Sequence, residues 1–351
     1  MTKEELLTLK AEENVIKNID LSGLDFSGID LSGSIFEDSV FKGTDLKGAI
    51  LADCVFYRVD FTGSCLEDAD LSRAYLEDAV MAQCRASRCL LVEADLQGAD
   101  LQGADLKYIR ADEADFSGAN LFRAKLNNAI LFKACFQDAV LNEVDWTDAD
   151  LSRADLSDAN LYNTSFKDVK MGKTFFMEAK LKGAVFLNCE LNMAHFDEAD
   201  LTEAVFTGNN ITQVSFVQAR LSRARFDGVT AGASCFDDAV CDEAVFSKGY
   251  FSCASFSNTR LVGSDFRDAN LERVNLTEAM LQNAILSGSD FTYADLSHAD
   301  LRMADMRGAK LKRTNLHRVN DERTLWSANA RIEAMETDYD LAEAEDWKPK
   351  G

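Results

Sequence analysis

Polar and apolar residues alternate along this 351-residue chain with a period of five. Ala94-Asp95-Leu96-Gln97-Gly98 is followed by Ala99-Asp100-Leu101-Gln102-Gly103 and then by Ala104-Asp105-Leu106. Stepping by five from Leu96, the register runs from Leu21 to Leu316 without insertion or deletion, 60 units in all. A large apolar residue fills 56 of the centres, the exceptions being Ala86, Ala111, Ala231 and Cys241. Two positions earlier the residue is Ala, Ser, Thr, Cys, Val or Gly in 55 units; Ile19, Leu24, Ile29, Ile109 and Asn209 depart. Five residues of α-helix advance about 500°, which would smear the centres around the whole axis. A flat strand needs a period of two. The small residue and the centre, two apart, share one side of a short extended piece. The remaining positions must turn the chain, and repeated turns of one hand wind a solenoid with two positions per unit inside and three outside. Gly98, Gly103, Gly118, Gly183, Gly228, Gly263, Gly288 and Gly308 fall at the second turn position, where a type II turn requires positive φ.

The unit Ala-(Asp/Asn)-Leu-x-x resembles the motif of the pentapeptide-repeat proteins, over roughly residues 16–326. That resemblance implies an all-β solenoid, a right-handed quadrilateral parallel β-helix with four units per coil. The residues agree: sorted modulo 20, Phe collects in alternate columns, Phe166-Phe186-Phe206-Phe226-Phe246-Phe266 and Phe176-Phe196-Phe216-Phe236-Phe256. Leu161, Leu181, Leu201 and Leu221 typify the columns between. Four units per coil make 15 coils, about 70 Å at about 4.8 Å per coil. An unbroken repeat predicts one elongated body, residues 16–320. Residues 1–15 read as a capping helix, opened by the capping box Thr2-Lys3-Glu4-Glu5 and supplied with Leu6, Leu7 and Leu9. Residues 321–351 read as a helical C-terminal cap and tail. Ser327 and Thr337 or Asp338 are its N-caps, and Ile332, Met335, Leu341 and Trp347 are available to cover the last coil; the final Lys-Pro-Lys-Gly reads as loose.

Candidate chemistry is sparse. Of nine cysteines, Cys54, Cys84, Cys89, Cys189 and Cys241 fall inside and Cys65, Cys135, Cys235 and Cys253 outside; inward thiols serve as small hydrophobes in a reducing compartment. Asp95, Asp100, Asp105, Asp150, Asp155, Asp295, Asp300 and Asp305 precede their centres, where the expected role is hydrogen bonding to turn backbone. His195, His298 and His317 have no partner spaced for a triad or a metal site, and His195 and His298 should face outward. No catalytic residue, cofactor site or metal site is expected. The absence of a basic leader segment and of any long apolar run predicts a cytoplasmic protein without membrane contact.

Charge changes the picture. The chain carries 60 acids against 37 bases, a net charge of −23. The face centred on Phe36, Phe56, Leu76 and onward by twenty holds Glu37, Asp38, Glu77, Asp78, Asp95, Asp115, Asp138, Asp155, Asp158, Glu178, Asp197, Glu198, Asp237, Asp238, Glu278 and Asp295. Against these sixteen acids stand Arg58 and Arg318. Such a wall repels nucleic acid, which excludes direct binding to it, and steers a protein with a basic patch. A second candidate face stacks Lys133, Arg153 and Lys173 beside outward Leu90, Val92, Ile130 and Phe132. Phe122, Phe132 and Phe175 are the outward members of the 23 Phe.

The resulting expectation is a non-catalytic protein-binding scaffold or adaptor. The family resemblance implies association with bacterial secretion (type VI) or regulatory systems. For some members it also implies a second role, DNA mimicry toward gyrase.

Overall fold

The computed structural model describes residues 1–347; the closing Lys-Pro-Lys-Gly, expected to be loose, lies outside the described residues. The chain divides into two units, Met1–Glu190 and Leu191–Gly351. Both are wound as β-helical coils in which residue i bridges residue i+20 in parallel, as Asp95 does Asp115 and Val240 does Arg260.

One pentapeptide shows why the chain winds this way. The N–H of Asp95 donates back one coil to the carbonyl of Ala74 at 2.9 Å, while those of Leu96 and Gly98 donate forward to Asp115 and Ser117 at 2.7 and 2.8 Å. The N–H of Ala99 closes the turn on the Leu96 carbonyl at 3.0 Å. Only the Gln97 N–H is left over, and the Asp95 carboxylate accepts it at 3.1 Å. Every backbone donor of the unit is thereby satisfied, as burial demands. The same bond from residue i+2 is made to Asp100, Asp105, Asp150, Asp155, Asp295, Asp300 and Asp305. The repeated Asp is thus part of the ladder, as its position predicts.

In the unit Met1–Glu190, helix α1 (Lys3–Glu12) begins at the Thr2–Glu5 capping box. Its Leu6 is fully buried and Leu9 half-buried, whereas Leu7 faces solvent. Lys3 and Lys10 tie it down by donating to the carbonyls of Ser27 and Asp30 at 2.6 and 3.2 Å. True strands occur where the chain stays extended: β1 (Ile16–Lys17), β2 (Ile35–Glu37) and β3 (Val55–Tyr57) form one parallel sheet, β4 (Ser165–Lys167) and β5 (Val185–Leu187) another. In the core Trp146 stacks on Phe166, the next ring of its own column, at 6.0 Å, and meets Phe136 of the other column edge-on at 5.8 Å. Its indole Nε1 has no hydrogen-bond partner.

In the unit beginning at Leu191, the two Phe columns expected from the modulo-20 sorting are present. Phe206, Phe226 and Phe246 stack at 4.9 and 5.2 Å, within 4° of parallel. Phe216 meets Phe226 edge-on at 81°. Offset stacks and edge contacts are the favoured aromatic geometries. Gly249 takes an inward position because a β-carbon there would strike the Phe251 ring. Where Thr44, Thr174, Thr259 and Thr314 replace the small Ala, the hydroxyl donates to a carbonyl of the previous coil, as Thr259 does to Phe236 at 2.7 Å; Ser234 and Ser264 donate within their own coil instead.

The C-terminal segment departs from expectation. Ladder bridges continue past residue 320, to Leu325 and Met335, because the register persists after the motif decays. A short 3-10 turn, η1 (Ala330–Glu333), starts at Asn329 instead of Ser327, and α2 (Tyr339–Asp346) is capped by Asp338. Ile332, Met335, Leu341 and Trp347, expected to cover the last coil, are 74, 51, 48 and 71% exposed. Polar contacts anchor this end instead.

Candidate protein-binding faces

The second turn position is the corner from which surface side chains project. Its backbone is left-handed at the expected glycines and also at Arg73, Lys133, Arg153 and Lys173, with φ of 56 to 61°. Residues at a corner therefore stack at i±20, and opposite charges meet across coils. Arg73 binds Asp53 at 2.7 Å, Arg88 binds Asp68 at 2.6 Å and Arg223 binds Glu243 at 3.0 Å. Exposed pairs of this kind each contribute about 0–1 kcal/mol.

On the acidic face of the first unit, Glu37 and Asp38 are not free charges. Lys17 reaches Glu37 at 2.5 Å, and Arg58 takes Asp38 at 2.5 Å and Glu37 at 3.3 Å. Glu77, Asp78, Asp138, Asp158 and Glu178 are exposed and, among the described residues, have no ion-pair partner. At the equivalent register positions of the second unit, Asp197 accepts from the Ser215 hydroxyl and from Val217 N–H at 3.1 Å. Asp237 accepts from Ser255 and Ser257 at 2.5 and 2.9 Å, and Asp238 from Asn258 at 2.5 Å. Glu198 and Glu278 project without an ion-pair partner among the described residues.

The basic and apolar face is less continuous than the register suggested. Leu90 and Ile130 are 36 and 40% exposed, but Arg110 lies between them in the ladder and pairs with Asp112 at 3.4 Å. Val92 and Phe132 are half-buried. Lys133 leans back to Glu113 at 2.7 Å, and the Arg153 guanidinium lies 5.8 Å from the Phe132 ring. The like-charge stack is relieved on one side by Glu113, and no unbroken apolar patch forms.

Among the cysteines, Cys65 is a correction: it is 6% exposed. It sits on the outer ladder between Asp45 and Arg85, which shade its short side chain. Burial pushes the thiols of Cys54 and Cys84 up to about 11 and about 12, so they stay protonated and are poor nucleophiles.

One cluster was missed altogether. His317 Nδ1 accepts the Asp338 N–H at 3.1 Å, so the neutral ring carries its proton on Nε2, which lies 3.2 Å from Glu345. The same carboxylate meets His298 at 3.5 Å and Arg318 at 3.1 Å. With Nδ1 occupied by a donor and a guanidinium beside the carboxylate, the chemistry suits a latch for α2, not a cation site. Glu345 lies outside the repeat, so no spacing pointed to it.

A parallel β-helix with aromatic columns inside and charged corners outside is a repeat architecture. The family profile described as "Pentapeptide repeat region" matches residues 119–196. That described as "Pentapeptide repeats (8 copies)" matches residues 34–73, 69–107, 189–228, 250–292 and 289–320. The chain belongs to the pentapeptide-repeat family.

Similar solved structures include HetL, a pentapeptide-repeat protein involved in heterocyst differentiation regulation from the cyanobacterium Nostoc sp. strain PCC 7120. It is 23% identical, with 87% of this chain and 97% of HetL covered and a TM-score of 0.23. The plasmid-mediated fluoroquinolone resistance protein QnrB1 is 21% identical over 51% of this chain and 81% of its own, with a TM-score of 0.20. A pentapeptide-repeat protein of the Arabidopsis thaliana thylakoid lumen is 26% identical over 37% of this chain and 67% of its own, with a TM-score of 0.16. No curated protein matches the chain. Among the described residues no helix is long and apolar enough to cross a membrane.

Proposed function

We propose that this protein is a non-catalytic scaffold that binds a protein partner bearing a basic patch, through its acidic face. One contrast supports the reading. Corner arginines such as Arg73, Arg88 and Arg223 hold carboxylates one coil away, yet Glu77, Asp78, Asp138, Asp158, Glu178, Glu198 and Glu278 project without such partners among the described residues. Unneutralised charges on the outer positions of each unit raise the on-rate of an oppositely charged partner and make it salt-sensitive. A right-handed winding, helical closing segments at both ends, a cytoplasmic location and a place beside a secretion (type VI) or regulatory system belong to the same proposal.

DNA mimicry toward gyrase is the weaker alternative. In the second unit the face carries Asp197, Glu198, Asp237, Asp238, Glu278 and Asp295. At about 4.8 Å per coil this is about one charge per 5 Å, against one per about 1.7 Å in duplex DNA.

The test is a pull-down from native cytoplasm with two triple variants. Glu198→Lys, Asp237→Lys, Asp238→Lys should lose the partner, whereas Lys133→Glu, Arg153→Glu, Lys173→Glu should keep it. Loss only with the second triple would move the interface to the basic face. A gyrase supercoiling assay with the purified protein should show no effect, and inhibition would favour the mimic.

A further inference from the structure

The acidic face of the first unit also carries its own aromatic cleft. Val55, Phe56, Tyr57, Tyr75 and Glu77 line a recess of about 230 Å³. Tyr57 and Tyr75 are 50 and 57% exposed, on a face whose other outward positions are mostly acidic or small. The register makes them neighbours: Val55 bridges Tyr75, and Tyr57 and Glu77 occupy the same column one coil apart.

The coil below shows what this arrangement recognises. Arg58 places its guanidinium 4.1 Å over the Tyr57 ring and pairs with Asp38 and Glu37, the two carboxylates of the preceding coil. Twenty residues above Asp38 is Arg58; twenty residues above Asp78 is Gly98. The carboxylate pair therefore recurs two coils on as Glu77 and Asp78, with the exposed Tyr75 ring in the same coil, but the position that supplied the cation is now Gly98 and the one that supplied the ring is Gln97. Asp78 turns its carboxylate into the space over Gly98, where a β-carbon would collide with it. Among the described residues neither Glu77 nor Asp78 has an ion-pair partner.

We propose that this cleft takes an arginine side chain from the partner protein, set against Glu77 and Asp78 as Arg58 is set against Glu37 and Asp38 two coils lower. The proposal rests on the acidic-face reading and locates its anchor. A planar guanidinium can stack on the Tyr75 ring and present its fork to both carboxylates, which a lysine ammonium cannot do. Aromatic anchors of this kind, and not rim charges, dominate interface energetics.

The probes are two labelled peptides, one with arginines in a Gly-Ser background and its lysine counterpart, titrated into the full chain by fluorescence anisotropy at constant salt. The arginine peptide should bind more tightly than the lysine one. Tyr75→Ala, which leaves the charge unchanged, should weaken the arginine peptide by about 3- to 10-fold, and Tyr75→Phe should restore it. Gly98→Arg should block the cleft by supplying the cation internally: left-handed corners accept arginine, as at Arg58 and Arg73, and the exposed Asp78 carboxylate has to rotate off the new β-carbon. Unchanged binding in Tyr75→Ala overturns the cleft. An equal loss for both peptides overturns the choice of arginine. The native-partner pull-down separates the two levels. Partner loss in the Glu198/Asp237/Asp238 triple with none in Tyr75→Ala leaves the acidic face standing and removes the cleft. The reverse result keeps the cleft and removes the wider face.

Discussion

Phe236 and Phe256 lie face to face, 4.5 Å apart and 1° from parallel. Twenty residues of chain separate them, and one hydrogen-bonded coil. Phe236 also meets Phe226 and Phe246 edge-on at 5.5 and 5.9 Å. A ladder on either side of the ring prevents the hole left by Phe236→Ala from collapsing, so the substitution should cost about 3–5 kcal/mol. Gln97→Ala, outward and polar, should stay within about 0.5 kcal/mol of wild type. Urea unfolding followed by circular dichroism checks both, and equal midpoints would contradict the inward and outward assignment.

Trp146 occupies the same kind of column but with an unbonded indole N–H. Replacing it by Phe removes a buried donor that has no acceptor, and leaves a small void. These effects oppose each other, so Trp146→Phe should lie within about 1 kcal/mol of wild type, whereas Trp146→Ala should cost about 3–5 kcal/mol. Thermal melts of both variants decide whether the missing hydrogen bond matters.

Leu6 is the one fully buried side chain of α1, and a helix docked there is expected to cover the open edge of the first coil. Deleting residues 1–15 should leave the coils folded and promote association through the uncovered edge. Leu6→Asp should act in the same direction. Multi-angle light scattering over a concentration series should show mass rising with concentration; a constant monomer mass in both variants would remove the capping role.

Hydrogen bonding from His317, with the Arg318 guanidinium nearby, holds the Glu345 carboxyl below its ordinary value of 4.5. A carboxylate with a depressed folded-state pKa contributes stability above its unfolded pKa and loses it as pH falls through the folded value. Docking of α2 should therefore be intact at neutral pH and weaken below about pH 4.5, before the coils respond. Hydrogen exchange, corrected for intrinsic rates, should show Asp340–Asp346 amides losing protection in acid while those around Phe246 keep it. Glu345→Gln should expose the same amides at pH 7.

The inward and outward sides of the coils were legible because a period of five leaves no other way to bury Leu96 and Ala94 together. The Asp95 type of hydrogen bond was legible too, since turn donors need a local acceptor. Corner ion pairs such as Arg73–Asp53 were within reach, because twenty residues separate the partners. The exposed Tyr57 and Tyr75 were also outward by register, but counting acids alone passed over them. Two things could not be read. Cys65 is shaded by the longer side chains of its ladder neighbours, which depends on rotamers and not on period. His317 finds Glu345 only because α2 folds back over the coil, and no repeat encodes that return.

The pairing of residue i with residue i+20 makes the length of this protein a quantised variable. Excising residues 221–240 would bring Phe246 above Phe206 and Phe256 above Phe216, with both aromatic columns unbroken. Excising only 221–225 would turn everything beyond by a quarter revolution. Phe226 would land on the Leu column, and Asp237 and Asp238 would leave the face of Glu198. Surface and core thus share one reading frame, in which whole coils can be gained or lost without redrawing any face, and fractions of a coil cannot.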